Sequence, residues 1–139
     1  MAGEPVDVLS ADESWNLLSS RSVGRLVMCV EGSPEIFPVN YVVQRRTVLF
    51  RTANFASKLF ALVMNARVVF EADDYNVSEG WSVIVKGFGR VLHTNEEIEE
   101  AQRAQLMPWT AGRKPRFVRV DPTEISGRRF RFGPSVDID

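Results

Sequence analysis

Histidine and cysteine are almost missing from this chain. His93 and Cys29 stand alone among 139 residues. One cysteine excludes an internal disulfide framework and fits a reducing cytoplasm. One histidine, with no H-E-x-x-H or C-x-x-C spacing, argues against a metal site, so no metal ligand is expected. A Ser-His-Asp triad would have to use His93, and no serine sits in a G-x-S-x-G elbow. No residue is set up as a covalent nucleophile, so no catalytic protein residue is expected. Long apolar runs are missing too. None approaches the roughly 18 residues that cross a membrane. Met1 to Asp7 carries two acids and no basic segment, unlike a signal peptide. A net charge of -1 gives no overall pull toward nucleic acid. The expectation is a cytoplasmic protein with one folded domain at residues 9–132, a flexible lead-in at 1–8 and a tail at 133–139.

What is present is mostly β pattern. Ser10-Ala11-Asp12-Glu13 is a capping box that opens a helix ending near Ser20 or Arg21. Val23 to Val30 and Ile36 to Val43 read as a hairpin across Glu31-Gly32-Ser33-Pro34. Pro38 within the second run marks an edge, a bulge or an approach of something else to the backbone. Thr47 to Arg51 extends the meander. A helix is expected from Ser57 to about Asn65, then a strand at Arg67 to Ala72 and a loop at Asp73 to Gly80. Trp81 to His93 is a long strand in which Gly87 and Gly89 suggest a bulge or bend. Thr94-Asn95-Glu96-Glu97 opens a helix to about Leu106. Its acidic run reads as a solvated face that favours the helix dipole. Phe117 to Val120 and Glu124 to Phe132 close the chain, split by Asp121-Pro122. Sequential strands without regular βαβ alternation argue for a mainly β, antiparallel barrel with short helices at its ends.

The chemistry gathers at Arg51-Thr52-Ala53-Asn54-Phe55-Ala56-Ser57-Lys58. There a strand end feeds a helix start, which supplies backbone N–H groups and a partial positive charge. Arg51 and Lys58 add charge, and Thr52 and Ser57 add hydroxyls. Such a corner suits a phosphate; an ordinary capped helix start with two solvated bases has the same local sequence. Trp81, Trp109 and Tyr41 read as loop aromatics beside it. Together these parts suit a flat aromatic cofactor that carries a phosphate. Gly87-Phe88-Gly89-Arg90-Val91-Leu92 is not a dinucleotide fingerprint, since Leu92 replaces the last glycine and the segment lies inside a strand. The basic C-terminal third, Arg113 to Arg131, suits a phosphate-bearing ligand or an oligomer contact as well as nucleic acid. Its bases alternate faces, so no nucleic-acid partner is expected.

Several segments, in order, resemble the flavin-binding split-barrel proteins related to pyridoxamine 5'-phosphate oxidase. They are Gly24-Arg25-Leu26, Pro38-Val39-Asn40-Tyr41, Phe50-Arg51-Thr52 with Ser57-Lys58-Leu59, and Val69 to Asp73. Gly80-Trp81-Ser82-Val83 with Gly87, Pro108-Trp109 and Gly127-Arg128-Arg129 complete the set. The resemblance implies a six-stranded antiparallel split barrel and a homodimer with FMN at the subunit interface. Arg51, Ser57 and Lys58 would hold the phosphate. Thr52, Val39 and Asn40 would line the ring, and Trp81 and Ser82 would add contacts. Trp109 and Arg128 would reach in from the partner subunit. The implied activity is flavin-dependent oxidation or reduction of a small molecule. The family's oxidases carry a further base after the serine where this chain has Ser57-Lys58-Leu59, which argues against pyridoxamine phosphate as substrate. Relatives on this barrel use a deazaflavin coenzyme or bind haem, and His93 is the one histidine available as an axial ligand. A protein that stores or senses its cofactor without turnover is the reading from outside the enzymes.

Overall fold

The computed structural model describes residues 5–52, 66–104, 106 and 116–134. Among them, seven strands and two helices follow in the order β1 (Val6–Leu9), α1 (Ala11–Ser19), β2 (Val23–Val30), β3 (Ser33–Gln44), β4 (Thr47–Thr52), β5 (Arg67–Tyr75), β6 (Glu79–Val91), α2 (Asn95–Gln102) and β7 (Arg116–Arg131). The sheet order is β1-β7-β4-β3-β2-β5-β6, and β6 pairs back onto β7. Six antiparallel strands, β2 to β7, therefore close a ring. The expected split barrel is the fold found. β1 is an addition to it.

Three boundaries differ from the sequence reading. Val6–Leu9 is not a lead-in but a strand, paired with β7 from Val6↔Phe130 to Leu9↔Gly127. The segment read as a loop from Asp73 is mostly strand, because β5 continues to Tyr75. Asp121-Pro122 does not divide the last strand. The ladder passes from Lys86↔Glu124 to Gly87↔Pro122, leaving Thr123 as the extra residue of a bulge. A proline is tolerated at such a point because a bulge interrupts the ladder. A Cβ at Gly87 would lie 2.1 Å from the Asp121 carbonyl oxygen, so only glycine fits opposite the bulge. The bulge expected near Gly87 is thus present.

Alternation fills the barrel. Leu26, Val48, Phe50, Phe70, Val83, Val85, Val118 and Val120 point inward and are fully buried. α1 plugs one end with Trp15 and Leu18. Its capping box is complete: Ser10 Oγ accepts from Glu13 N–H, and Glu13 Oε1 accepts from Ser10 N–H. Tyr41 fastens the plug. Its hydroxyl donates to the Leu18 carbonyl at 2.5 Å, and its ring meets Phe70 edge-on at 4.7 Å. Burial pushes the Tyr41 pKa upward. Tyr41 is therefore a core residue, not a loop aromatic. A second cluster, Leu49, Leu92, Ala101, Leu106 and Phe117, lies between α2 and the outer face of the barrel.

α2 ends at Gln102, earlier than the expected Leu106, with Arg103 as its C-cap. Its acids are not all solvated. Arg90 pairs with Glu97 and Asp121. Buried Arg119 donates to Thr47 Oγ1 at 2.7 Å, Gln44 Oε1 at 2.9 Å and Glu100 Oε1 at 3.3 Å. These contacts tie α2 to the β3–β4 hairpin.

Candidate functional site

The β3–β4 hairpin turns at Arg45 and Arg46, both with positive φ, 50° and 53°. Two such residues match the primed turn that fits strand twist, at a steric cost for non-glycine side chains. Glu100 and Asp12 hold the two guanidiniums at 2.6 and 2.5 Å. From this turn the ladder runs through Gln44↔Thr47 to Tyr41↔Phe50, and there it ends. The next positions part company. Asn40 and Val39 leave with β2, opposite Val23 and Gly24. Arg51 and Thr52 leave with β7, opposite Phe117 and Arg116. The split in the barrel thus opens between Val39-Asn40 and Arg51-Thr52. Pro38 stands at this edge, where a missing N–H breaks no β3–β4 ladder bond.

The two sides of the opening differ in character. Val39 turns inward and joins the core. Asn40 and Arg51 fall on the outer face, as alternation from Val39 and Phe50 requires. The Arg51 guanidinium lies 4.7 Å from the centroid of the Phe117 ring, its cross-strand partner. Arg51 Nε is buried and has no hydrogen-bond partner among the described residues. A buried donor left in this state is costly, at about 1–3 kcal/mol. A cation braced on an aromatic face with a spare donor fits an anion such as a phosphate oxygen. Ser57, Lys58 and Trp109 lie outside the described residues.

Trp81 and Ser82 sit on β6, opposite Arg129 and Arg128 of β7. Trp81 packs against the core rather than standing in a loop. Ser82 faces outward, and its hydroxyl donates to Glu71 Oε2 at 3.1 Å. Arg128 is exposed on the same face. Phe117 and Arg128 share β7 but are separated by up to roughly 36 Å of strand, at about 3.3 Å per residue. The long strand therefore does not bring Arg128 to Arg51. Around the barrel in the other direction, Asn40 and Ser82 are separated by β2 and β5, or roughly 14 Å at about 4.8 Å per strand step.

The residues between them are charged. Arg25 Nη1 donates to Glu71 Oε1 at 2.9 Å and to Asp73 Oδ2 at 3.3 Å. Burial first, then Asp73, raises the Glu71 pKa, while Ser82 and Arg25 pull it down. The Arg25 pKa is raised chiefly by the charge of Asp73. Arg25 and Glu71 fall in segments that carry the family resemblance. Their pairing rests on the β2–β5 register, Arg25↔Glu71, which local sequence does not announce. The basic third disperses: Arg119 is buried, Arg129 faces Glu79, and Arg131 faces Asp7. Among the described residues, no group of three or more possible ligands could hold a metal. No described helix is long and apolar enough to cross a membrane.

A six-stranded ring that opens between its β3 and β4 edges defines a split barrel. The pyridoxamine 5'-phosphate oxidase family model matches residues 10–129, and the chain belongs to that family. A Mycobacterium tuberculosis protein, Rv3129, described as uncharacterized, is 62% identical over 96 residues, covering 69% of this chain and 86% of that protein. The structure of an FAD binding protein from Mycobacterium smegmatis matches with a TM-score of 0.81 and 51% identity, over 90% of this chain and 98% of the other. An FAD-binding protein from Mesorhizobium loti matches with a TM-score of 0.74 and 25% identity, over 89% and 96%.

Proposed function

We propose that this chain binds a flavin at the opening between β3 and β4 and serves as a flavin-dependent oxidoreductase of a small organic molecule. The observation that carries this reading is the Arg51 side of the opening. A cation rests on Phe117 with a buried, unused donor, at the point where two strands stop pairing. When bound, the flavin supplies the redox chemistry. The chain's part is to hold and orient it: Arg51, with Ser57 and Lys58, at the phosphate, and Asn40 and Thr52, with the backbone of Val39, beside the ring. The family resemblance implies FMN, whereas the Mycobacterium smegmatis and Mesorhizobium loti relatives are named for FAD. The two share the isoalloxazine ring, the ribityl chain and the first phosphate, so the Arg51 argument serves both. A homodimer with the site at the subunit interface belongs to the same reading. It would let Arg128 and Trp109 of one protomer serve the opening of its partner.

The test is an absorption spectrum of the purified protein, followed by titration with FMN, FAD and a deazaflavin coenzyme, with sedimentation to give the oligomeric state. A retained or restored flavin spectrum in a dimer is expected. Arg51→Ala and Lys58→Ala should each weaken flavin binding by about 1.5–3 kcal/mol, the range for a lost charged hydrogen bond. A folded protein that takes up no flavin, or shows a haem band instead, would overturn the reading. Preference for the deazaflavin would keep the site and change the cofactor.

A further inference from the structure

We infer that Glu71 is a positioning residue that makes Ser82 an obligate hydrogen-bond acceptor toward the bound flavin, so that Ser82 meets the one ring N–H of the oxidised cofactor, at N3. This rests on the flavin reading above. Ser82 has one hydroxyl proton, and that proton is committed to Glu71 Oε2 at 3.1 Å. The other carboxylate oxygen, Oε1, is taken by Arg25 Nη1 at 2.9 Å. Arg25 is itself held by Asp73 at 3.3 Å. The chain Asp73–Arg25–Glu71–Ser82 therefore has a fixed polarity. A guanidinium only donates and an ionised carboxylate only accepts, so with Glu71 ionised the serine must donate inward to it. What Ser82 presents outward is a lone pair.

The oxidised isoalloxazine ring carries acceptors at N1, O2, O4 and N5, but a single donor, N3–H. An outward acceptor at Ser82 complements that donor and repels the others. Placement favours the same pairing. Ser82 shares the outer face with Asn40, on one lip of the opening, and is separated from it by β2 and β5, roughly 14 Å at about 4.8 Å per strand step. The phosphate would lie at Arg51, and the pyrimidine edge of the ring would point toward β6.

The test compares binding of riboflavin and 3-methylriboflavin by fluorescence quenching, in the wild type, Glu71→Gln and Ser82→Ala. The wild type is expected to prefer riboflavin by on the order of tenfold, the scale of one lost hydrogen bond with an acceptor left unmet. Glu71→Gln nearly conserves shape but reverses the chain. Arg25 still requires an acceptor, so the amide oxygen turns to Arg25 and the amide N–H₂ turns to Ser82. The serine hydroxyl is then free to point outward. This variant should lose part of the preference while melting within a few degrees of the wild type, because the serine keeps one free lone pair but is no longer held as an acceptor, and Ser82→Ala should lose the preference altogether. A wild type that binds both flavins equally, or a Glu71→Gln variant that keeps the full preference, would overturn the inference and leave the flavin reading standing. A wild type that binds neither flavin nor FAD would overturn both.

Discussion

At the scale of single residues, glycines report where backbones must touch. A Cβ at Gly127 would sit 2.4 Å from Ser14 Oγ and 3.2 Å from Leu9 Cδ1. Ser14 is fully buried, and its hydroxyl donates to the Ser10 carbonyl at 2.8 Å. Gly127→Ala should therefore destabilise the protein by about 1–3 kcal/mol, as overpacking does. Denaturant unfolding would measure it, and adding Ser14→Gly should recover much of the loss by making room. The sequence showed Gly127 as part of a familiar motif with Arg128. Its reason was hidden, because Ser14 lies at the opposite end of the chain. Arg51 was the reverse case. Its position before a strand-to-helix turn marked it at once, and the unused Nε and the Phe117 face then gave the mark a physical basis.

At the scale of elements, α2 shows what charge counting misses. Its acidic run reads locally as a solvated face. Once folded, Glu97 pairs with Arg90, and Glu100 pairs with Arg45 and Arg119. Only strand pairing brings those arginines under the helix. The Arg90 hydrogen bond lowers the Glu97 pKa below its ordinary value of 4.5. A carboxyl group whose folded value lies below the unfolded one stabilises the fold fully above about 4.5, and loses that contribution as pH falls through the lowered value. Acidification from about pH 5 downward should therefore raise amide exchange in α2 before the barrel core yields. Glu97→Gln should remove that part of the pH dependence. Equal exchange profiles for variant and wild type would show that the Arg90 contact does not hold the helix. The helix caps were more legible, since a cap is written within four consecutive residues: Ser10 and Thr94 both accept from the N–H of the glutamate three positions on, though only Ser10 and Glu13 complete the reciprocal box.

At the scale of the molecule, the barrel was legible because five of its six strands form in local succession and their alternation needs no distant partner. β1 was not, since four residues with an exposed Val8 carry little pattern, and the strand exists only through β7. The same strand pairs with β4 along its first part and with β6 along nearly all its length. Removing it leaves an open sheet, β4-β3-β2-β5-β6, whose two outer strands are bare. On the ribosome, a nascent chain lacks this closing strand until residues 116–131 have emerged. The β6 edge is long, and long unpaired edges recruit other chains. A chain stopped before Arg116 should partition into the pellet on expression, whereas one stopped after Phe132 should not. Synthesis therefore passes through an adhesive stage that ends only with β7, and premature termination or ribosome stalling before Arg116 would expose it.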